Sequence, residues 1–339
     1  MSLKWIDGAE GWGDATYATR AYAVASSVSA GTARVSPGVR SWSLNGGSMQ
    51  TPSLGVQNTW IVGIGIRMTA VVLCKIRFMS GGSEQCRFEV ENSGGLPRWK
   101  LVRGSTQVGS SSATFALSQW FYFEAKVTVR TGTNGIYELR QNEVAIISGS
   151  SVNLANTGSD GADAIGWGFH ASGTITVDDV YVADDTGAAP TNTFLGDSVA
   201  SHVLPAAEGH QIDFTPSTGT NNAALVDDSE TAASGADYNS SDTNAQEDYY
   251  TFADLPATGL GTIYGVRISG SWAMATAGSR VARYRYYNGS TEFTLGSNIS
   301  AASTSIVELP QISELNPNTG VPWTKAEVDA AEFGVEVVS

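Results

Sequence analysis

The chain has 339 residues, enough for two domains at about 150 residues each, and it carries a net charge of −14 although charged residues make up only 15% of it. That acidic balance repels a phosphate backbone and anionic lipid, which argues against nucleic-acid binding and membrane adsorption. The charge is uneven: residues 1–187 hold 14 Lys and Arg against 15 Asp and Glu, whereas the remainder holds 5 against 18.

The 38 glycines favour short strands joined by turns. The opening "MSLKWIDGAEGWGD" has neither a basic start nor an apolar run, so no secretory leader is expected. "RSWSLNGGSMQT" (40–51) reads as a hairpin with Asn45-Gly46-Gly47 at its turn. "TWIVGIGIRM" and "VVLCKIRFM" read as strands; Arg67, Lys75 and Arg77 interrupt the apolar region from Trp60 to Met79, which excludes a membrane span. "QCRFEVE" answers the second strand across a Gly-rich turn, and "RWKLVRG" and "STQVGS" pair around Gly104. "WFYFEAKVTVRT" is the clearest strand, with Phe121, Phe123, Ala125, Val127 and Val129 on one face. "GIYELRQNEVAIIS" forms a hairpin about Asn142 and Glu143, and "AIGWGFHA" and "TITVDDVYVAD" follow. Strands every ten or so residues without a long helix indicate a β-sandwich or jelly roll.

"GAAPTN" (187–192) is the best boundary. It divides a first domain, 1–187, from a linker, 188–196, and an acidic second domain, 197–339. The polar stretch from 223 to 252 allows a long loop. "TIYGVRISGSWAM", "SRVARYRYYNGSTEFTLG" and "STSIVELPQI" resume strand character, with Asn288-Gly289 as a hairpin turn. Near the end, Thr324 and Glu327 make a capping box, and Val328, Ala331 and Phe333 lie at helical spacing before Gly334. One short helix and a final strand are expected there.

The chemistry is sparse. His170, His202 and His210 are the only histidines; no Gly-x-Ser-x-Gly elbow supports a nucleophile, and His202 and His210 read as surface loop residues. Neither Cys nor His clusters at zinc spacing, and no phosphate loop occurs. Cys74 and Cys86 alternate with apolar neighbours and read as small buried thiols; a disulfide is the minority reading, because the turn at 80–83 does not set them opposite each other. Glu89 and Glu91 share one strand face, as an acid and a nucleophile of a glycosidase would, although an outward polar face gives the same pattern. Calcium is a possible ligand for Asp178, Asp179, Asp184 and Asp185, or for Asp227, Asp228 and Glu230, though neither group has EF-hand spacing. Trp60 and Trp120 begin apolar strands and belong to the core, while Trp12, Trp99, Tyr284, Tyr286 and Tyr287 are candidates for a sugar platform, a sheet face or a subunit contact.

Taken together, "LKWIDGAEGWG", "SLNGGSMQTPSLG", "GGSEQCRFEVENSGGLPRWKLVRGSTQVGSSS", "WFYFEAKVTV" and "TVDDVYVADDTG" resemble the concanavalin A-like, laminin-G-like domain of bacteriophage virion proteins. "DDSETAASGADYNSS", "DYYTFADLP" and "NPNTGVPWTKAEVDAAEFGVEVV" resemble the second half of the same proteins. The resemblance implies an all-β chain: a concanavalin A-like jelly-roll sandwich followed by a second β-sandwich with one short C-terminal helix. It also implies a non-enzymatic structural protein of the tail or capsid surface, assembled in the bacterial cytoplasm, oligomeric and in contact with other virion proteins. A host-glycan adhesin of the particle is the alternative, and a polysaccharide-degrading enzyme ranks last, because the Glu-x-Asp-x-x-Glu strand of enzymes with this fold is absent. No catalytic or cofactor-binding residue is transferred, and the metal question stays open.

Overall fold

The computed structural model describes residues 1–9, 15–35, 40–170, 173–227, 236–257, 261–276 and 278–339, the side chains of 15–17, 169 and 170 excepted. The chain forms two compact units, Met1–Glu10 with Asp14–Ala200, and Gly11–Gly13 with Ser201–Ser339. The boundary therefore falls after Ala200, and residues 188–196 belong to the first unit.

The first unit opens with β1 (Leu3–Asp7), α1 (Ala15–Ala21), β2 (Val24–Gly31), β3 (Ser41–Gln50) and β4 (Thr59–Met68). A meander follows: β5 (Leu73–Ser80), β6 (Ser83–Ser93), β7 (Leu96–Arg103) and β8 (Thr106–Thr114). A second meander, β9 (Trp120–Thr128), β10 (Gly135–Gln141) and β11 (Val144–Val152), leads to β12 (Ala164–His170) and β13 (Thr174–Asp184). Hydrogen bonding links them in the order β11-β10-β9-β4-β13-β3-β12-β5-β6-β7-β8, with β1 beside β13 and β2 beside β3. The outermost strands β8 and β11 approach each other, so the sheet nearly closes on itself as a jelly roll.

Alternation decides what the closed sheet buries. Trp60, Val62 and Ile64 of β4 sit opposite Val127, Ala125 and Phe123 of β9, and all six are fully buried. Ile76, Phe78, Cys86, Phe88, Trp99 and Trp167 also lie in the interior. Each such large apolar side chain contributes about 1.5–3 kcal/mol by leaving water. Cys74 and Cys86 are both free and buried, and Cys86 faces Phe78 rather than the other thiol.

One expected hairpin is instead a bulged strand. β3 runs unbroken through Asn45-Gly46-Gly47, pairing first with β13 and then with β12. Gly46 takes φ +68°, and a Cβ on Gly47 would lie 1.8 Å from the Ser26 carbonyl of β2. The glycines let one strand bend from one leaf of the sandwich into the other, which is the work of a bulge rather than of a turn.

The second unit contains β14 (Pro205–Ile212), β15 (Thr215–Pro216), β16 (Asn239–Ser240), β17 (Glu247–Phe252), β18 (Val266–Ile268) and β19 (Ser271–Trp272). After these come β20 (Arg280–Tyr287), β21 (Glu292–Ala301), β22 (Val307–Glu308), β23 (Gln311–Ser313), α2 (Lys325–Asp329) and β24 (Glu332–Val337). The main sheet has the order β14-β17-β24-β20-β21, and the short pairs β18-β23 and β19-β22 stand apart from it. Ala282, Tyr284, Tyr286, Leu295 and Phe333 of the sheet pack with Trp323 and Val328, while Ile268, Trp272 and Leu309 close the other side. This is the second β-sandwich, and α2 is the short helix expected near its C-terminus. The Thr324 hydroxyl accepts from the Glu327 amide and the Glu327 carboxylate accepts from the Thr324 amide, the expected capping box. Gly334 does not stop the helix; it lies within β24 opposite Tyr249. "TIYGVRISGSWAM" is broken into two short strands rather than one.

Candidate functional site

Because residues directly opposite in an antiparallel ladder share a face, the outward face of the β2-to-β8 leaf can be read row by row. One row is Ser26, Ser48, Gly168, Lys75, Glu89, Lys100 and Ser110. The next is Val24, Gln50, Gly166, Arg77, Arg87, Val102 and Gln107. At about 4.8 Å per strand the face spans about 29 Å. It is polar nearly throughout, and Gly166 and Gly168 leave its floor without side chains on β12.

Glu89 and Glu91 belong to this face, but as members of an ion-pair ladder. Arg87 donates to Glu89 and to Glu84, the latter at 2.5 Å. Lys100 lies 3.1 Å from Glu89 and 3.4 Å from Glu91, and Arg98 donates to Glu91 at 2.9 Å. Burial works against ionisation at Glu89, yet the hydrogen bonds from Arg87 and Lys100 outweigh it and hold the carboxyl below its ordinary value. At Glu91 burial is again the largest single effect, and Arg98 and Lys100 together overcome it and hold the carboxyl below its ordinary value. Neither is the protonated acid that glycoside hydrolysis needs.

Arg77 differs from its neighbours. It faces Arg87 across the β5-β6 pair, and Glu84, the carboxylate that acts on it, is committed to Arg87. Its Nε is buried without a hydrogen-bond partner. A Cβ on Gly166 or on Gly168 would each lie 3.2 Å from its Nη2, so the guanidinium rests over both glycines. Lys75, two residues earlier on the same face, makes no ion pair among the described residues, and burial followed by the Arg87 charge lowers its pKa. In the sequence Arg77 and Lys75 interrupt an apolar run, and the same alternation that buries Ile76 and Phe78 sets both outward.

On the other leaf the acids considered for calcium are held by protein partners. Asp178 accepts from the Arg34 amide at 2.8 Å and Asp179 from Arg34 Nε at 2.7 Å. Tyr181 donates to Glu124 at 2.6 Å, and the same Glu124 oxygen accepts from the Gly196 amide at 2.9 Å. Arg34 also reaches Asp197 at 2.6 Å and the Ser198 carbonyl at 2.7 Å. The segment expected as a linker is thereby pinned to the first unit. Asp184 accepts from Thr186 and pairs with Lys4 at 3.1 Å; Asp185 and Asp227 are exposed. Asp228, Glu230 and Trp12 lie outside the described residues, as does the His170 side chain. Among the described residues no group of three or more His, Cys, Asp or Glu is placed to hold a metal.

Of the readings open for the aromatic residues, the core reading holds for three. Trp99, Tyr284 and Tyr286 are core residues, because strand alternation turns them inward, whereas Tyr287 faces the other way and stacks on His210 at 3.7 Å between ring centres. His210 is not in a loop: it lies on β14 and contacts Glu332 at 2.7 Å and Glu292 at 3.1 Å. His202 is exposed in a loop. Beside the histidine, Arg285 reaches Glu247 at 3.2 Å, Glu292 at 3.0 Å and Glu336 at 3.3 Å. Burial, then the hydrogen bond to Glu336, pushes Glu247 up to about 7.

No family model matches the chain, and no curated protein does. Among solved structures it is similar to an endo-β-1,4-glucuronan lyase from the fungus Trichoderma reesei, at 10% identity and a TM-score of 0.40 over 53% of this chain and 95% of that one. The alginate lyase Aly36B matches at 11% identity and a TM-score of 0.34 over 46% and 86% of the two chains. Domain 4 of AbnA, an extracellular arabinanase from Geobacillus stearothermophilus, matches at 14% identity and a TM-score of 0.34 over 47% and 76%. The expectation of a non-enzymatic virion structural protein is corrected at this point: the named structures that resemble the chain are carbohydrate-active proteins, and none of these three is a virion component.

Proposed function

We propose that the first unit is a carbohydrate-binding jelly-roll domain that takes an extended polysaccharide across the outward face of the β2-to-β8 leaf. The observation that carries this reading is the shallow polar track itself, with Ser48, Gln50, Lys75, Arg77, Lys100 and Ser110 presenting hydrogen-bonding groups around a glycine floor. An extended chain needs a long open surface with repeated donors and acceptors, and a row of neighbouring strands supplies one at each strand spacing. The ladder removes Glu89 and Glu91 as an acid and nucleophile pair, since both are held ionised by Arg and Lys partners, and binding is the activity that the track itself supports. The resemblance in fold to polysaccharide lyases and to an arabinanase module is in keeping with this reading without adding weight to it.

The test is a polysaccharide array probed with the full chain. Retention on at least one polymer is expected, and Ser48→Trp, which sets a bulky ring on the track, should abolish it while the fold persists. Retention that survives this substitution would place binding elsewhere.

A further inference from the structure

We infer that the polysaccharide taken by this face is anionic, its carboxylate or sulfate groups received by the Arg77 guanidinium with Lys75 beside it. The inference rests on the proposed carbohydrate-binding reading and names the ligand class for that site.

Three features of Arg77 lead to it. A half-buried cation with no carboxylate in contact is costly, and this one also faces a second arginine across the strand pair. Arg87 is compensated by Glu84 and Glu89, but Arg77 has no hydrogen bond or ion pair among the described residues. The position is also built rather than incidental: with glycine at 166 and 168 the guanidinium lies close against β12, and any side chain there would crowd it. With Nε buried, the outer Nη groups of this planar fork are the ones left to donate to an oxyanion settling beside the guanidinium on the face, and in-plane donors of this kind make arginine a selective partner for such groups. Lys75, on the same face and equally uncommitted, adds a second positive charge two residues away along β5. The chain as a whole repels anions at −14, so attraction at this place must be local. Residues 1–187, at −1 net, do not oppose it.

Affinity electrophoresis of the full chain through gels containing polygalacturonate, dextran sulfate or uncharged dextran tests this, with Arg77→Gln and Lys75→Gln beside the wild type. Retardation by polygalacturonate or dextran sulfate is expected, and the gel that retards identifies carboxylate or sulfate. Arg77→Gln should weaken it roughly ten-fold or more, the loss of a charge-assisted contact, and Lys75→Gln several-fold. Thermal unfolding confirms that each variant is folded; if Arg77→Gln is not, Lys75→Gln decides. Equal retardation by dextran would overturn the anionic class and leave the carbohydrate reading standing, whereas no retardation by any gel, with an array equally blank, would remove both. Retardation by the charged polymers that neither variant reduces would also overturn the inference, because the anion would then bind at another place.

Discussion

Arg34 donates from Nε to Asp179 at 2.7 Å, although 145 positions separate the two in the chain, and their side chains are only 7% and 0% exposed. The pair ties the segment after β2 to the bulge in β13, and Asp197 and Ser198 extend the same tie to the end of the unit. Removing one partner of a buried pair leaves the other charge uncompensated, which costs about 3–5 kcal/mol. Arg34→Ala should therefore lower the unfolding free energy of the first unit by that amount in denaturant titration. A loss under about 1 kcal/mol would show the pair to be incidental.

Beside that pair, burial and then the Asp179 charge raise the pKa of Asp178, and burial raises that of Glu124. The folded unit thus keeps protons that the unfolded chain has already released. Stability falls as pH rises from the ordinary carboxylate range, near pH 4, towards the folded values, by up to about 1.4 kcal/mol per pH unit for each group. The first unit should melt at a higher temperature at pH 5.5 than at pH 8.0. Asp178→Asn, which removes one of these titrations, should shrink the difference; an unchanged difference would assign the effect to other groups.

The two thiols should be silent. Both are fully buried, and burial raises the pKa of each. Native protein should react with a thiol-specific maleimide only on the timescale of unfolding, and both thiols should react at once in denaturant. Rapid labelling under native conditions would mean that β5 and β6 separate readily.

Glu89 sits between Arg87 and Lys100, and Glu89→Gln would leave the two cations facing a neutral amide. Hydrogen bonds to charged groups of this kind contribute about 1.5–3 kcal/mol each. Since the Glu89 side chain is 9% exposed, a stability loss of about that size is expected from thermal unfolding. No loss would mean that water already satisfies Arg87.

Much of the fold was legible wherever one face of a strand is apolar. β9 reads directly from Phe121, Phe123, Ala125 and Val127; the β10-β11 turn is carried by Asn142 and Glu143, both at positive φ; and the capping box of α2 appears in Thr324 and Glu327. β14 was missed because Pro205–Ile212 is mostly exposed and has no alternation to show. The Asn45-Gly46-Gly47 bulge was read as a turn because both need the same residues, and only the neighbouring β2 distinguishes them. The site was less legible still. Periodicity places Arg77 on an outward face, but it cannot say that Gly166 and Gly168 lie beneath it, since strand order is a long-range property. The tyrosine run stays ambiguous in the sequence for a related reason: Tyr284 and Tyr286 keep the alternation of a sheet face, and only the partner elements show that this face is the core while Tyr287 lies on the other.

Hydrogen–deuterium exchange of the full chain, with and without a saturating polysaccharide chosen from the array, tests the central claim most directly. The account predicts slowed exchange in peptides covering β3, β12, β5, β6 and β7, centred on Ser48, Gly168, Lys75 and Lys100. A rival position exists on the other leaf, a groove of about 490 Å³ lined by Lys126, Thr128, Ile136, Glu138 and Ser148. Protection confined to that groove, or to the second unit, would contradict the assignment of the polar track as the binding face.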